Sequence, residues 1–219
     1  EEAEWIAKEI KGVRASADHP RIAVLYRTNA QSRPIEQALI FSAIPYRIFG
    51  GITFYGRKEV RDVVAGLRIA VNPNDTVSKT RLEKALTKRI AFPLFHELWA
   101  VGGRLPPREL IGFFLAKTDY LARLAREFQN TEERKENIEE LEKFAETFRT
   151  TTELLERITL LESADTARTV GGEKEEPVHL MSIHLSKGLE FGWVFVAGAE
   201  EGFLPHHRSL CSPEELEEE

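Results

Sequence analysis

Residues 76–162 carry helical hydrophobic spacing and no convincing strand, whereas strands and helices alternate before them and strands return after them. That interruption limits the available folds more than any single motif. Ile138, Leu141, Phe144 and Phe148 form one apolar stripe at helical spacing, and Leu154, Leu155, Ile158 and Leu161 form another. Pro93, Gly102-Gly103, Pro106-Pro107 and the polar stretch near Gln129 punctuate the run. Ahead of it, residues 2–13 place Ala3, Ile6, Ile10 and Val13 on one helical face, and residues 22–26 read as a short buried strand. A second helix comes next, with Ser32 as its cap, Pro34 in its first turn, and Ile35, Ala38, Leu39 and Ser42 facing inward. Residues 45–49 make a second strand ended by Gly50-Gly51, and a helix over 57–71 stops at Asn72-Pro-Asn-Asp75. Strands reappear at 178–183 and 193–197, after an exposed linker over 167–177.

Alternating strand and helix predicts an α/β fold with a parallel sheet. The chain is then one sheet domain split in sequence by an all-helical one. Residues 1–74 form its first part, 75–170 the inserted domain and 171–219 its second part. No apolar run reaches the roughly 18–20 residues that cross a bilayer. A lone cysteine, Cys211, forms no internal disulfide and suits a reducing cytoplasm. The chain begins at Glu1 and its only methionine is Met181, as expected of a piece of a longer protein. Its net charge of −6 is matched by residues 199–219 alone, with seven acids against one arginine. Residues 54–89 hold nine basic and four acidic side chains, so the acidic balance leaves room for a nucleic-acid partner.

Three places carry chemistry. Met181-Ser-Ile-His184-Leu-Ser-Lys187-Gly188-Leu-Glu190-Phe191 runs an apolar strand into a loop of His, Lys, Gly and Glu. Open α/β sheets bind ligands at such strand ends. Gly188 lets backbone approach a ligand, and His184, Ser186 and Lys187 lie where phosphates would meet the emerging strand. Arg27, just past the strand over 22–26, offers a fixed guanidinium for phosphate charge. Arg57 and Lys58 come after Phe54 and Tyr55, a mixture of cations and rings that suits single-stranded DNA. Local pairing of Arg57 with Glu59 or Asp62 is the alternative. No Gly-x-x-x-x-Gly-Lys-Ser/Thr loop occurs, and the histidines with Cys211 form no metal-ligand set.

Leu25-Tyr-Arg27-Thr-Asn-Ala-Gln-Ser-Arg33-Pro-Ile-Glu36 is similar to motif IV of the UvrD/Rep/PcrA-type superfamily 1 ATP-dependent DNA helicases. The segment from Ile44 through Gly51, Phe54, Arg57, Glu59 and Asp62 resembles the family's next stretch of chain. Residues 181–191 resemble motif V, and Glu200-Glu-Gly202-Phe-Leu-Pro205-His206 continues it. Arg134-Lys-Glu-Asn137-Ile-Glu-Glu-Leu fits loosely. The resemblance implies a RecA-like domain, 2A, that is P-loop NTPase-like without the P-loop and is split by a helical domain, 2B. It implies ATP contacts by Tyr26 at the adenine, catalytic Arg27 at the γ-phosphate, Lys187, Gly188, and Glu190 at the ribose. DNA contacts fall to Arg57, Lys58, His184, Ser186 and Lys187. ATP and Mg²⁺ are implied, with the Mg²⁺ ligands in a missing N-terminal domain, 1A. Single-stranded DNA, single-strand/duplex junctions and repair or replication proteins are the implied partners. The expected protein is the C-terminal motor portion of a 3′-to-5′ helicase or translocase, stopping before motif VI and inactive alone. Two alternatives stand beside it: a non-catalytic DNA-binding or docking module, and part of an AddA- or RecB-like helicase–nuclease.

Overall fold

In a computed structural model, residues 1–16, 20–170 and 176–200 are described, with backbone alone over 164–170. The chain divides into two compact units, one of Glu1–Phe54 with Ser163–Glu219 and one of Tyr55–Glu162.

The first unit is α/β. Helix α1 (Glu2–Ser16) leads to strand β1 (Ile22–Tyr26), helix α2 (Ser32–Phe41) and strand β2 (Tyr46–Ile48). Strands β3 (Val178–Ser182) and β4 (Trp193–Val196) complete a parallel sheet in the order β2-β3-β1-β4. Ala23 lies opposite His179 and Val194, which puts β1 at the centre. An uninterrupted apolar strand such as β1 belongs at such a place. Ile22, Val24 and Tyr26 point to one face with Val178 and Leu180, where Ile6, Ile10, Val13, Ile35 and Leu39 of α1 and α2 cover them. Burying each such aliphatic side chain contributes roughly 1.5–3 kcal/mol.

The second unit is helical throughout. It holds α3 (Lys58–Val71), α4 (Thr76–Leu86), α5 (Lys88–Gly102), α6 (Pro107–Thr118), α7 (Tyr120–Glu127), α8 (Thr131–Ala145) and the start of α9 (Thr151–Val170). Asp75 caps α4 by accepting the Ser78 amide at 3.0 Å, so the predicted stop also serves as the next start. The expected division after residue 74 falls beyond α3, whereas the helical unit begins at Tyr55. The reason is packing: α3 buries Val60, Val63, Leu67 and Ile69 on several faces and packs against α4, α5, α6 and α8. No described helix is long and apolar enough to cross a membrane.

Three local expectations are corrected. Ser32 is not a cap: it is the first residue of α2, and its hydroxyl donates to buried Glu36 at 2.6 Å. Pro93 does not punctuate; α5 runs through it. Residues 167–170, expected to be linker, belong to α9, which continues to Val170, and residues 171–175 of the expected linker lie outside the described residues.

His179 shows how the sheet's second face is built. Neither ring nitrogen has a hydrogen-bond partner among the described residues, and the imidazole lies 5.5 Å from Phe191 and 6.1 Å from Phe49. Burial depresses its pKa below the ordinary 6.5, with Arg21 and Arg47 adding to the effect and Glu176 opposing it. The unfolded chain therefore takes up this proton first as pH falls, and stability present above pH 6.5 is lost below it. Thermal unfolding at about pH 7.5 and about pH 5.5 should show a smaller acid loss in His179→Phe than in the wild type. An equal loss in both would rule out this residue as the cause.

Candidate functional site

Strands β1 and β3 are adjacent and parallel, with Tyr26 opposite Ser182. They therefore end at one edge of the sheet, and the turn after β1 emerges beside the 3₁₀ turn Ile183–Ser186. Two residues 160 positions apart in the sequence, Arg27 and Lys187, are in this way assigned to the same rim.

Each turn is fixed locally. The Gln31 side-chain oxygen accepts the amides of Arg27 and Thr28, both at 2.9 Å, which holds the backbone from which the Arg27 side chain leaves. Gly198, just past β4, has φ +68°, and a side chain there would collide with the Gln31 amide. Its own N–H donates to Glu2 at 2.9 Å. In the β3 loop, Ser186 donates its hydroxyl to the Ile183 carbonyl at 2.8 Å and so closes the 3₁₀ turn. Gly188 has φ +81° and open space where a Cβ would stand, so it supplies a left-handed turn. The side chains of His184, Lys187 and Glu190 are exposed and make no hydrogen bond or ion pair among the described residues. The β3 loop thus offers one cation, one imidazole, one carboxylate and a bare stretch of backbone, and Arg27 adds a second cation to the rim.

Three expected contributors are engaged elsewhere. Tyr26 is 1% exposed, within the core under α1 and α2. The alternation along β1 that buries Ile22 and Val24 buries Tyr26 with them, leaving no ring face for an adenine. Arg57 is 9% exposed and donates to Asn137 on α8 at 2.7 Å. Lys58 reaches Asp62 at 3.2 Å and Glu127 at 3.6 Å. Phe54 and Tyr55 are buried as well, so neither ring is open to a base. Of the predicted DNA-facing pair, Arg57 is buried, and Lys58, with its side chain 34% exposed, is engaged by two carboxylates.

The network this pair joins was only partly foreseen. Asn137 passes the contact on to Glu59 at 2.7 Å, and Arg134 pairs with the same carboxylate. The Arg134 guanidinium also stacks 3.8 Å over the Phe128 ring. Asp62 accepts from Tyr120 at 2.7 Å; burial, and then this carboxylate, push the phenol pKa up. Arg81 Nε is 2.7 Å from Asp62, but its N–H is off line, so that contact is Coulombic. Sequence spacing named Glu59 and Asp62 as local partners of Arg57. Partners on α4, α7 and α8 had no local signal.

A parallel α/β sheet that gathers cationic, glycine-bearing loops at its carboxyl edge belongs to the class that binds ligands there. The chain belongs to the UvrD-like helicase C-terminal domain family, whose profile matches residues 1–103 and 113–219. It is 32% identical over 290 residues to the ATP-dependent DNA helicase UvrD1 of Mycobacterium tuberculosis, a match covering all of this chain and 37% of that protein. It is 33% identical over 273 residues to the ATP-dependent DNA helicase PcrA of Staphylococcus epidermidis, again covering 100% and 37%. With PcrA of Bacillus subtilis the identity is 33%, over 90% of this chain and 34% of the relative. The chain thus spans little more than a third of the length of these curated relatives.

Proposed function

We propose that this chain is the C-terminal motor portion of an ATP-dependent 3′-to-5′ DNA helicase or translocase. Its sheet unit is a RecA-like domain that supplies one wall of an ATP cleft, and the helical unit is an insertion within it. The observation that carries the reading is the convergence of the β1 and β3 ends, inside a chain matched end to end by ATP-dependent DNA helicases. On this reading Arg27 and Lys187 balance phosphate charge, Gly188 admits a ligand to the backbone, and Glu190 accepts from a sugar hydroxyl. His184 and Ser186 face the DNA strand beside Lys187. Tyr26, Arg57 and Lys58 have no ligand contact and hold the fold. ATP binds with Mg²⁺, whose ligands lie outside this chain, and the activity for which the relatives are named is the reason for choosing ATP and DNA.

The test uses the complete protein. Lys187→Ala and Arg27→Ala are each expected to lower single-stranded-DNA-stimulated ATP hydrolysis by about tenfold or more, the size of one lost charge-assisted contact. The 219-residue chain alone is expected to hydrolyse no ATP. Unchanged hydrolysis in both variants would remove the rim from the mechanism.

A further inference from the structure

The helical unit contains a cleft that the proposed motor does not use. It has a volume of about 850 Å³ and lies between the end of α3, the α5–α6 turn and the start of α9. That volume is within the usual range for a small-molecule site. Four features of its walls point to one ligand chemistry.

Arg104 and Arg149 both line the cleft, both are exposed, and neither side chain pairs with a carboxylate among the described residues. Arg68, Arg81, Arg108 and Arg134 of the same unit are all ion-paired. Helix α9 begins at Thr151, on the same wall. Its first-turn amides have no acceptor within the helix and sit at the positive end of its dipole. Glu153 turns back onto the amides of Arg149 and Thr150, at 3.2 and 3.3 Å, and Thr150 caps Glu153, which leaves the Thr151 and Thr152 amides unspent. The Thr151 side chain is a third, independent sign. The residue is 4% exposed, yet its hydroxyl has no hydrogen-bond partner among the described residues. Buried hydroxyls are almost always partnered, so this one is short of a ligand atom. Lastly, Trp99 lines the cleft with its side chain 53% exposed. A large open indole beside unpaired guanidinium groups offers a stacking surface to a base.

We propose that this cleft binds a nucleotide unit, its phosphate held by Arg104, Arg149, the Thr151 hydroxyl and the first amides of α9, and its base stacked on Trp99. The unit belongs either to a DNA strand or to a free nucleotide. No residue of the cleft is at the sheet rim. The family profile leaves residues 104–112, which include Arg104, unmatched.

The chain has three tryptophans, and Trp5→Phe with Trp193→Phe leaves Trp99 as the only indole. In that 219-residue background, an oligothymidylate of about eight nucleotides is expected to quench Trp99 fluorescence. Arg104→Ser with Arg149→Ser should weaken that binding about tenfold and reduce the slope of log K against log salt by about 1.4. Both arginines are exposed and unpaired, so the double variant keeps its fold. Quenching by the oligonucleotide alone assigns the site to a strand; quenching by thymidine monophosphate as well extends it to free nucleotides. No quenching by either probe, or equal affinity in the double variant, overturns the site. Lys187→Ala should leave the Trp99 signal unchanged while lowering the anisotropy change of a labelled oligonucleotide. Failure of the cleft and failure of the rim are therefore read separately.

Discussion

Asp62→Ala is expected to cost about 3–5 kcal/mol of folding stability, the usual penalty for removing one partner from a buried ionic group. Asp62 is 1% exposed and is the common partner of α3, α4 and α7 through Lys58, Arg81 and Tyr120. Without the carboxylate, the Tyr120 hydroxyl loses its buried acceptor, Arg81 loses its counter-charge and Lys58 keeps only Glu127. For a chain of 219 residues this corresponds to a fall in Tm of about 10 °C. Asp62→Asn separates charge from hydrogen bonding: it keeps an acceptor for Tyr120 and should lose less. Lys84→Ala, on an exposed face, should stay within about 0.5 kcal/mol. Thermal unfolding of the three variants decides, and a loss under about 1 kcal/mol for Asp62→Ala would mean the cluster does not hold these helices together.

Gly102→Ala is the second large effect. A Cβ on Gly102 would lie 2.8 Å from the carbonyl carbon of Ala70 and closer still to its oxygen. That carbonyl belongs to helix α3, whose backbone moves only as a unit, so a methyl group must push α5 away. A cost of about 3 kcal/mol is expected, at the upper end for overpacking. The neighbouring Gly103 is the internal control. Nothing lies within 4 Å of a Cβ there and its φ is −91°, so Gly103→Ala should be close to neutral. If the two variants unfold together, close approach of α5 to α3 is not what Gly102 provides.

These predictions rest on features that were unequally visible in the sequence. Strand β1 was legible because a short, uninterrupted apolar run between polar ends has few other destinations, and its observed bounds are the expected ones. The helical unit was legible through period: Ile138, Leu141 and Phe144 are all buried, as are Leu154, Ile158 and Leu161. Pro93 misled because a proline is tolerated in a helix when packing of Ala91, Leu94, Phe95 and Leu98 outweighs one lost hydrogen bond. At the rim, composition identified the loop, and only the register of β1 with β3 placed Arg27 beside it. Arg57 was ambiguous for a physical reason. A cation next to aromatic rings reads the same whether it meets a phosphate or a buried amide, and the amide is on Asn137, 80 residues away.

The strand order has a consequence for how the protein is made. Strand β3 lies between β2 and β1, so these two earlier strands have no contact in the sheet until β3 arrives. The ribosome must deliver all of α3 to α9 before that happens. The helical unit, continuous from Tyr55 to Glu162, has its partners close in sequence and is free to fold as it emerges. During that interval β1 and β2 wait with unpaired edges, and the amphipathic faces of α1 and α2 are what shields β1 from other nascent chains. Strands β3 and β4, which follow the helical unit out of the ribosome, turn an open half-sheet into one working edge.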